Sequence, residues 1–419
     1  MFDLLIQGGT VYDPETGALT RQDVAVAGGR IARLGGDLPA SGAQTVLDAS
    51  DCLVTPGLID LHCHIYPVFP YVREDSLRTV NAEEHMLRCG VTTAVDAGTC
   101  GWRNFGDFYE HVVSRTKLRV LAFLNIAAKG MAYTDSEQAV ADIQPSVTAA
   151  VAKAYDDCVV GVKSAHYWPR PQDASHPAFA SIDGAREAAA QCGKPVMVDS
   201  IPVSPQRTYP DILRRLSPGD IHTHVFAQQF PLLDGEGRVQ AFLMQQRARG
   251  VRFDVGHGSG SFWFRQAVPC LEQGFWPDTL STDLHHQNVT GPAFDLLYVA
   301  GKFLAMGMPL GDVLYRVTRA PALVLGREEL GVVSPGACAD LAVLRLRPGR
   351  FGYLDCGGAR LQGEGKLECV ATVRAGETLY DPEGRTAPDW RCAPPPYWTP
   401  PGLMRSWELR TEKEESPCV

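Results

Sequence analysis

His62 and His64, two positions apart in Asp60-Leu61-His62-Cys63-His64, are the side chains of this sequence best placed to do chemistry. They close the apolar run Leu53-Val54-Thr55-Pro56-Gly57-Leu58-Ile59, which reads as a β-strand. Residues two apart on a strand face the same side, so the two imidazoles stand together as a divalent metal such as zinc requires. The bland alternative is two unrelated histidines. The Pro-Gly turn before the pair and the compatible ligands downstream favour the metal.

Other candidates end later apolar stretches. Lys163 closes Val159-Val160-Gly161-Val162. Such a lysine is commonly a snorkelling or ion-paired residue. A buried lysine, however, loses its proton readily, and the free amine can take up CO2 as a carbamate with two metal-binding oxygens. Ile221-His222-Thr223-His224 repeats the His-x-His spacing, so both of its imidazoles are expected to face the interior. Asp283 follows Leu280-Ser281-Thr282. A helix N-cap is its plain reading; beside a metal it could ligate and take the proton of a bound water. Gly256-His257-Gly258-Ser259-Gly260 lacks the Gly-Lys-Ser/Thr of a phosphate loop. It is either a flexible turn or a close backbone approach to a ligand, with His257 as a polar contact. Tyr66, Tyr167, Trp168, His257 and His285 suggest a partly aromatic substrate pocket.

These residues need a scaffold that gathers strand ends. Residues 1–52 alternate short strands with turns, including a hairpin at Gly28-Gly29-Arg30. From 53 to 330 apolar strands alternate with helical stretches. Eight strands are expected: Leu53–Ile65, Thr92–Asp96, Val120–Ile126, Val159–Lys163, Pro195–Asp199, Asp220–Phe226, Val251–Val255 and Thr279–Asp283. Helices are expected over Ala82–Cys89, Ile182–Cys192, Gly237–Arg249 and Phe294–Met306. The pattern predicts an α/β protein, a (β/α)8 TIM barrel whose chemistry sits at the C-terminal strand ends. Strand-like segments return over 331–387, so both chain ends are expected to form one small β-sandwich. Residues 388–419 read as a proline-rich tail.

Composition narrows the functions. The chain has 419 residues, 45% hydrophobic and 21% charged, with a net charge of −9. An acidic chain is a poor partner for nucleic acid, and no apolar run reaches the roughly 18 residues of a membrane span. Twelve cysteines without a C-x-x-C pair, and no basic leader at the N-terminus, point to reduced thiols and a cytoplasmic location. The expected partner is a small-molecule substrate; a homo-oligomer is compatible with the sequence.

Taken together, the chain resembles the amidohydrolase superfamily, and within it the dihydroorotase-like deacetylases. The likeness runs from Leu4-Leu5-Ile6-Gln7-Gly8-Gly9 through Pro56-Gly57-Leu58-Ile59-Asp60-Leu61-His62-Cys63-His64 to Gly331-Val332-Val333-Ser334-Pro335-Gly336-Ala337-Cys338-Ala339-Asp340-Leu341-Ala342-Val343. The resemblance implies two divalent metal ions, zinc in the first place. His62 and His64 would hold one, a carboxylated Lys163 would bridge, His224 would help hold the second, and Asp283 would be ligand and general base. It further implies hydrolysis of an amide, cyclic amide or ester by a metal-activated hydroxide. One position departs. The family has a histidine at the end of strand five, where this chain has Asp199. Direct ligation by Asp199 is the favoured expectation, and replacement by His222 the other. The competing function is an inactive barrel kept as a binding or scaffold subunit, with Asp199 the one feature in its favour.

Overall fold

The computed structural model describes residues 1–67, 79–170, 173–202 and 205–393, with Thr134 described by its backbone alone. The proline-rich tail expected over 388–419 therefore lies mostly outside the described residues.

Seven parallel strands lie side by side in chain order: Leu58–Cys63, Val91–Gly101, Arg119–Asn125, Val159–Ser164, Val196–Val198, Ile221–His222 and Arg252–Phe253. The last three are shorter than the sequence suggests, and residues 279–283 form no regular strand. That segment nonetheless closes the barrel. Its carbonyls accept from Val255, His257 and Gly258 on one side, and on the other Asp283 N donates to His62 O and His64 N to Leu284 O. Side chains reinforce this seam. Thr279 and Ser281 donate to the Asp254 carboxylate, and Thr282 donates to Asp60. A hydroxyl-rich segment thus trades part of a regular ladder for buried bonds to carboxylates. The result is the expected (β/α)8 barrel.

Its interior is layered. Ile59, Leu61, Val95, Ala97, Leu121, Phe123, Val160, Met197 and Ile221 make an apolar floor, closed below by Ala322, Leu325 and Leu330. The polar residues of the strand ends stand above that floor. Outward-facing residues of the same strands pack under the surrounding helices in a much larger cluster.

Beside the barrel lie two further sheets. One places Phe2–Gln7 between Asp23–Ala27 and Ala43–Asp48, with Arg30–Gly35 at its edge. The other runs Glu377–Tyr380, Arg360–Arg374, Leu341–Leu354, Leu53–Pro56, Thr10–Tyr12, Leu19–Arg21, mixing both regions of the chain. Leu4, Ile6, Val24 and Val26 share a core with Leu341, Val343, Val370 and Val373. Asp340 fastens this unit to the barrel. Its carbonyl accepts from Gly57 N at 2.7 Å, immediately before the first barrel strand, and its carboxylate takes Arg119 from the third. Among the described residues no helix is long and apolar enough to cross a membrane.

Candidate metal centre

His62 and His64 leave the first barrel strand side by side, both fully buried. Each is steered by the same device, a threonine backed by an aspartate. His62 Nδ1 lies 3.0 Å from Thr223 Oγ1, which donates to Asp254 Oδ2 at 2.8 Å. His64 Nδ1 lies 2.8 Å from Thr99 Oγ1, which donates to Asp96 Oδ2 at 2.8 Å. A hydroxyl whose proton is committed to a carboxylate must accept from the imidazole. Both Nδ1 atoms therefore carry hydrogen, and both Nε2 atoms present lone pairs. Outer partners of this kind are how metal-binding histidines are held in one tautomer.

Those lone pairs converge on Asp283. His62 Nε2 lies 3.4 Å and His64 Nε2 2.9 Å from Asp283 Oδ1. The three donor atoms all lie within 4.8 Å of one another. His64 Nε2 is buried and makes no hydrogen bond, despite its short approach to Asp283, because with the proton on Nδ1 both facing atoms are acceptors. Such an orphaned atom is what a shared cation would satisfy, so the donor set fits a divalent metal. Burial, with Lys163 adding to it, lowers the His62 pKa to about 3. Burial would raise that of Asp283, but the imidazoles of His62, His285 and His64 prevail and keep it ionised.

Lys163, fully buried, brings Nζ to 3.3 Å from His62 Nε2 and 3.5 Å from Met197 Sδ. Burial lowers its pKa, against the pull of Asp199 and Asp283. Its amine faces the metal cluster from the fourth strand.

Asp199 and His224 also meet, Nε2 to Oδ2 at 3.0 Å, with the other ring nitrogen of His224 donating to Gly256 O. Burial opposes charge on both, yet their attraction lowers the Asp199 pKa and raises that of His224. His222 is elsewhere. Its ring packs between Tyr209, Phe230 and Phe253, outside the barrel sheet, and neither nitrogen has a partner. The expectation that His222 and His224 share a face fails for a local reason. His224 adopts φ 60°, which ends the alternation of the strand and turns its ring inward. Asp283, with φ 48°, is turned in the same way. Non-glycine residues in this region of backbone space cost about 1–3 kcal/mol each and cluster at functional sites.

The glycine-rich loop lies against the cluster. A Cβ on Gly256 would come within 2.2 Å of Thr223 Oγ1 and 2.9 Å of His224 Nδ1, and one on Gly258 within 2.7 Å of Asp283 Oδ2. The glycines thus make room for metal-site side chains. Among the expected substrate contacts, His285 reaches the rim. Its Nδ1 donates to Asp283 O at 2.7 Å and its ring stands edge-on to His64. His257 is fully buried and turns elsewhere, stacked on Phe262 with Nε2 accepting from Lys302. Tyr167 is buried over His176 with an unpartnered hydroxyl, and Tyr66 donates to Asp107.

Spacing alone does not reveal Thr99, Asp96, Thr223 and Asp254, because the bonds that tie the two threonines to His64 and His62 run sideways between strands distant in sequence. It also passes over His166, just past the fourth strand. His166 Nδ1 lies 3.2 Å from Glu137 Oε2, and Nε2 lies 3.6 Å from Asp199 Oδ2. Burial opposes charge on this ring, but Glu137 and Asp199 raise its pKa to about 9.

No protein-family model matches the chain. A deacetylase of Agrobacterium fabrum is 30% identical over 337 residues, covering 77% of this chain and 78% of that protein. A deacetylase of Enterococcus faecalis is 26% identical over 384 residues, covering 91% of this chain and 99% of the relative. Among solved structures, an adenine deaminase superposes with TM-score 0.80 at 25% identity, covering 91% of this chain and 100% of that one. A dihydroorotase superposes with TM-score 0.77 at 26% identity, covering 90% and 99%.

Proposed function

We propose, for a chain that belongs to the amidohydrolase superfamily and is a metal-dependent hydrolase of carbon–nitrogen bonds, that its substrate is a small N-acyl compound or cyclic amide, with an acyl ester close behind. The relatives named deacetylase and dihydroorotase support that choice. The observation that carries the reading is the convergence of His62 Nε2, His64 Nε2 and Asp283 Oδ1, with His64 Nε2 buried and unbonded.

The barrel from Leu58 to about residue 330 carries the chemistry, flanked by the sandwich of 1–56 and 331–387, because Leu53–Pro56 pairs with Leu341–Leu344 rather than with a barrel strand. His62, His64 and Asp283 hold one ion, zinc by the nitrogen-rich donor set. Asp199 and His224 would contribute to a second, and a carboxylated Lys163 would supply oxygen ligands to the centre. When bound, the metal lowers the pKa of water towards about 7 and polarises the carbonyl it contacts. Asp283, ionised at neutral pH, takes the proton of the attacking water and passes it to the leaving nitrogen. His285, held by the Asp283 carbonyl, faces the substrate at the rim; His257 and Tyr167 support the loops around it. Reduced thiols fit a cytoplasmic enzyme, all described cysteines being free.

The test is a hydrolysis screen of N-acyl amino acids, cyclic amides and acyl esters, with metal analysis on the same sample. Chelation should abolish turnover, and zinc or manganese should restore it. Full activity in metal-free protein would end the metallohydrolase reading.

A further inference from the structure

Asp199 stands at the strand-five position, and the Asp199 side chain is approached by imidazoles from both sides. His224 Nε2 is 3.0 Å from Oδ2, and His166 Nε2 is 3.6 Å from the same oxygen. His166 follows Ser164-Ala165 at the end of the fourth strand, three residues beyond Lys163. Its ring is fixed from behind. Glu137 Oε2 takes Nδ1 at 3.2 Å, and Glu137, its side chain only 1% exposed, is itself held through Oε1 by Asn125 Nδ2 at 3.1 Å. Gln138 bonds the chain on either side of the ring's neighbour Tyr167, donating to His166 O at 2.6 Å and accepting from Trp168 N at 3.0 Å. The backbone of His166 sits at φ 27°, a conformation that a branched L-residue rarely takes without a constraint.

A buried carboxylate on the remote nitrogen of a half-exposed imidazole is the arrangement that orients metal-binding histidines. An ion pair with Asp199 alone would not require Glu137 to be buried and held by Asn125. We infer that His166 supplies the nitrogen ligand of the second metal that Asp199 cannot, with Glu137 as its positioning residue. This rests on the metallohydrolase reading above. The site would then combine Lys163, Asp199, His224 and His166, drawing its second imidazole from strand four rather than strand five.

The experiment counts ions. Parent protein, His166→Ala, Glu137→Gln and the double variant His166→Ala/Asp199→His are freed of metal, equilibrated with zinc and assayed by elemental analysis. The cobalt(II) forms are compared by visible absorption. The parent should hold two ions and His166→Ala one, with loss of one cobalt environment from the spectrum. Glu137→Gln should hold the second ion roughly 10–100-fold more weakly. The double variant should regain it, because a strand-five histidine returns the nitrogen; that recovery also shows that the His166→Ala lesion is not misfolding. Two ions with an unchanged cobalt spectrum in His166→Ala would overturn the assignment of His166 while leaving the hydrolase reading intact. A parent holding a single ion would likewise overturn it. A parent that binds no metal would instead bring down the reading on which it rests.

Discussion

The two halves of the barrel mouth, built from similar residues, are in opposite states. At strands one and eight, His62 and His64 point lone pairs at Asp283, that of His64 without a partner and that of His62 beside the Lys163 amine, their protons tied back through threonine to aspartate. At strands four to six, His224 and His166 instead flank Asp199. The difference lies in what stands behind each ring. A neutral acceptor with its proton committed backwards leaves the forward nitrogen free. A ring facing a carboxylate, with a carbonyl or a second carboxylate behind it, gathers charge and closes into an ion pair. The first half is therefore ready for a cation, whereas the second must have an ion pair opened. If the second site is filled as proposed, the two ions should therefore be held with unequal affinity.

The comparison breaks hardest at Asp283. Asp283→Asn should retain the ion held by His62 and His64 yet lose about 10²–10⁴ in rate, since an amide cannot serve as the base. Measurement of kcat beside metal content checks this; parent-level turnover would assign the proton to another group.

Lys163 joins the halves. Lys163→Ala should lower metal content from two ions per chain towards one or none, with short carboxylic acids restoring part of it by replacing the carbamate oxygens. Two tightly held ions in the variant would remove Lys163 from the site.

A smaller effect, outside both halves, sharpens the role of burial. Lys302 is as buried as Lys163, but it donates to His257 and Pro292 O and lies over Phe262 and Tyr298. Burial lowers its pKa from 10.5 to about 7. Above pH 10.5 the amine is neutral whether the chain is folded or not. As pH falls from there, the unfolded chain takes up a proton that the folded one refuses, so stability drops until about pH 7, where the penalty is complete. Lys302→Met should flatten that dependence in denaturant titrations and leave metal content unchanged. Loss of metal would mean that this lysine, too, serves the centre.

Much of this was legible in the residues. The Pro-Gly entry, the His-x-His pair and the regular return of apolar runs specify a barrel and the ring of side chains at its mouth, because strand periodicity and turn chemistry are local properties. The short final strands were not legible, since Thr279, Ser281 and Thr282 bond to carboxylates of other strands. Nor was the separation of His222 from His224: Ile221 takes the inward side, so His222 faces out, and His224 is turned in only by its own left-handed backbone. The role of His257 depended on Lys302, 45 residues away. Contacts across strands have no signature in spacing.

The seam at Leu53–Pro56 has a consequence for how the chain is made. This strand pairs on one side with Thr10–Val11 and on the other with Leu341–Leu344, so its second neighbour leaves the ribosome almost 300 residues later. Until then Val54, wholly covered in the finished protein, lies on an open sheet edge that can recruit another strand. Such distant pairing slows folding and lengthens exposure to aggregation. Expression yield should therefore respond to changes at Leu341–Leu344 more sharply than to changes at the barrel mouth, although the mouth carries the chemistry.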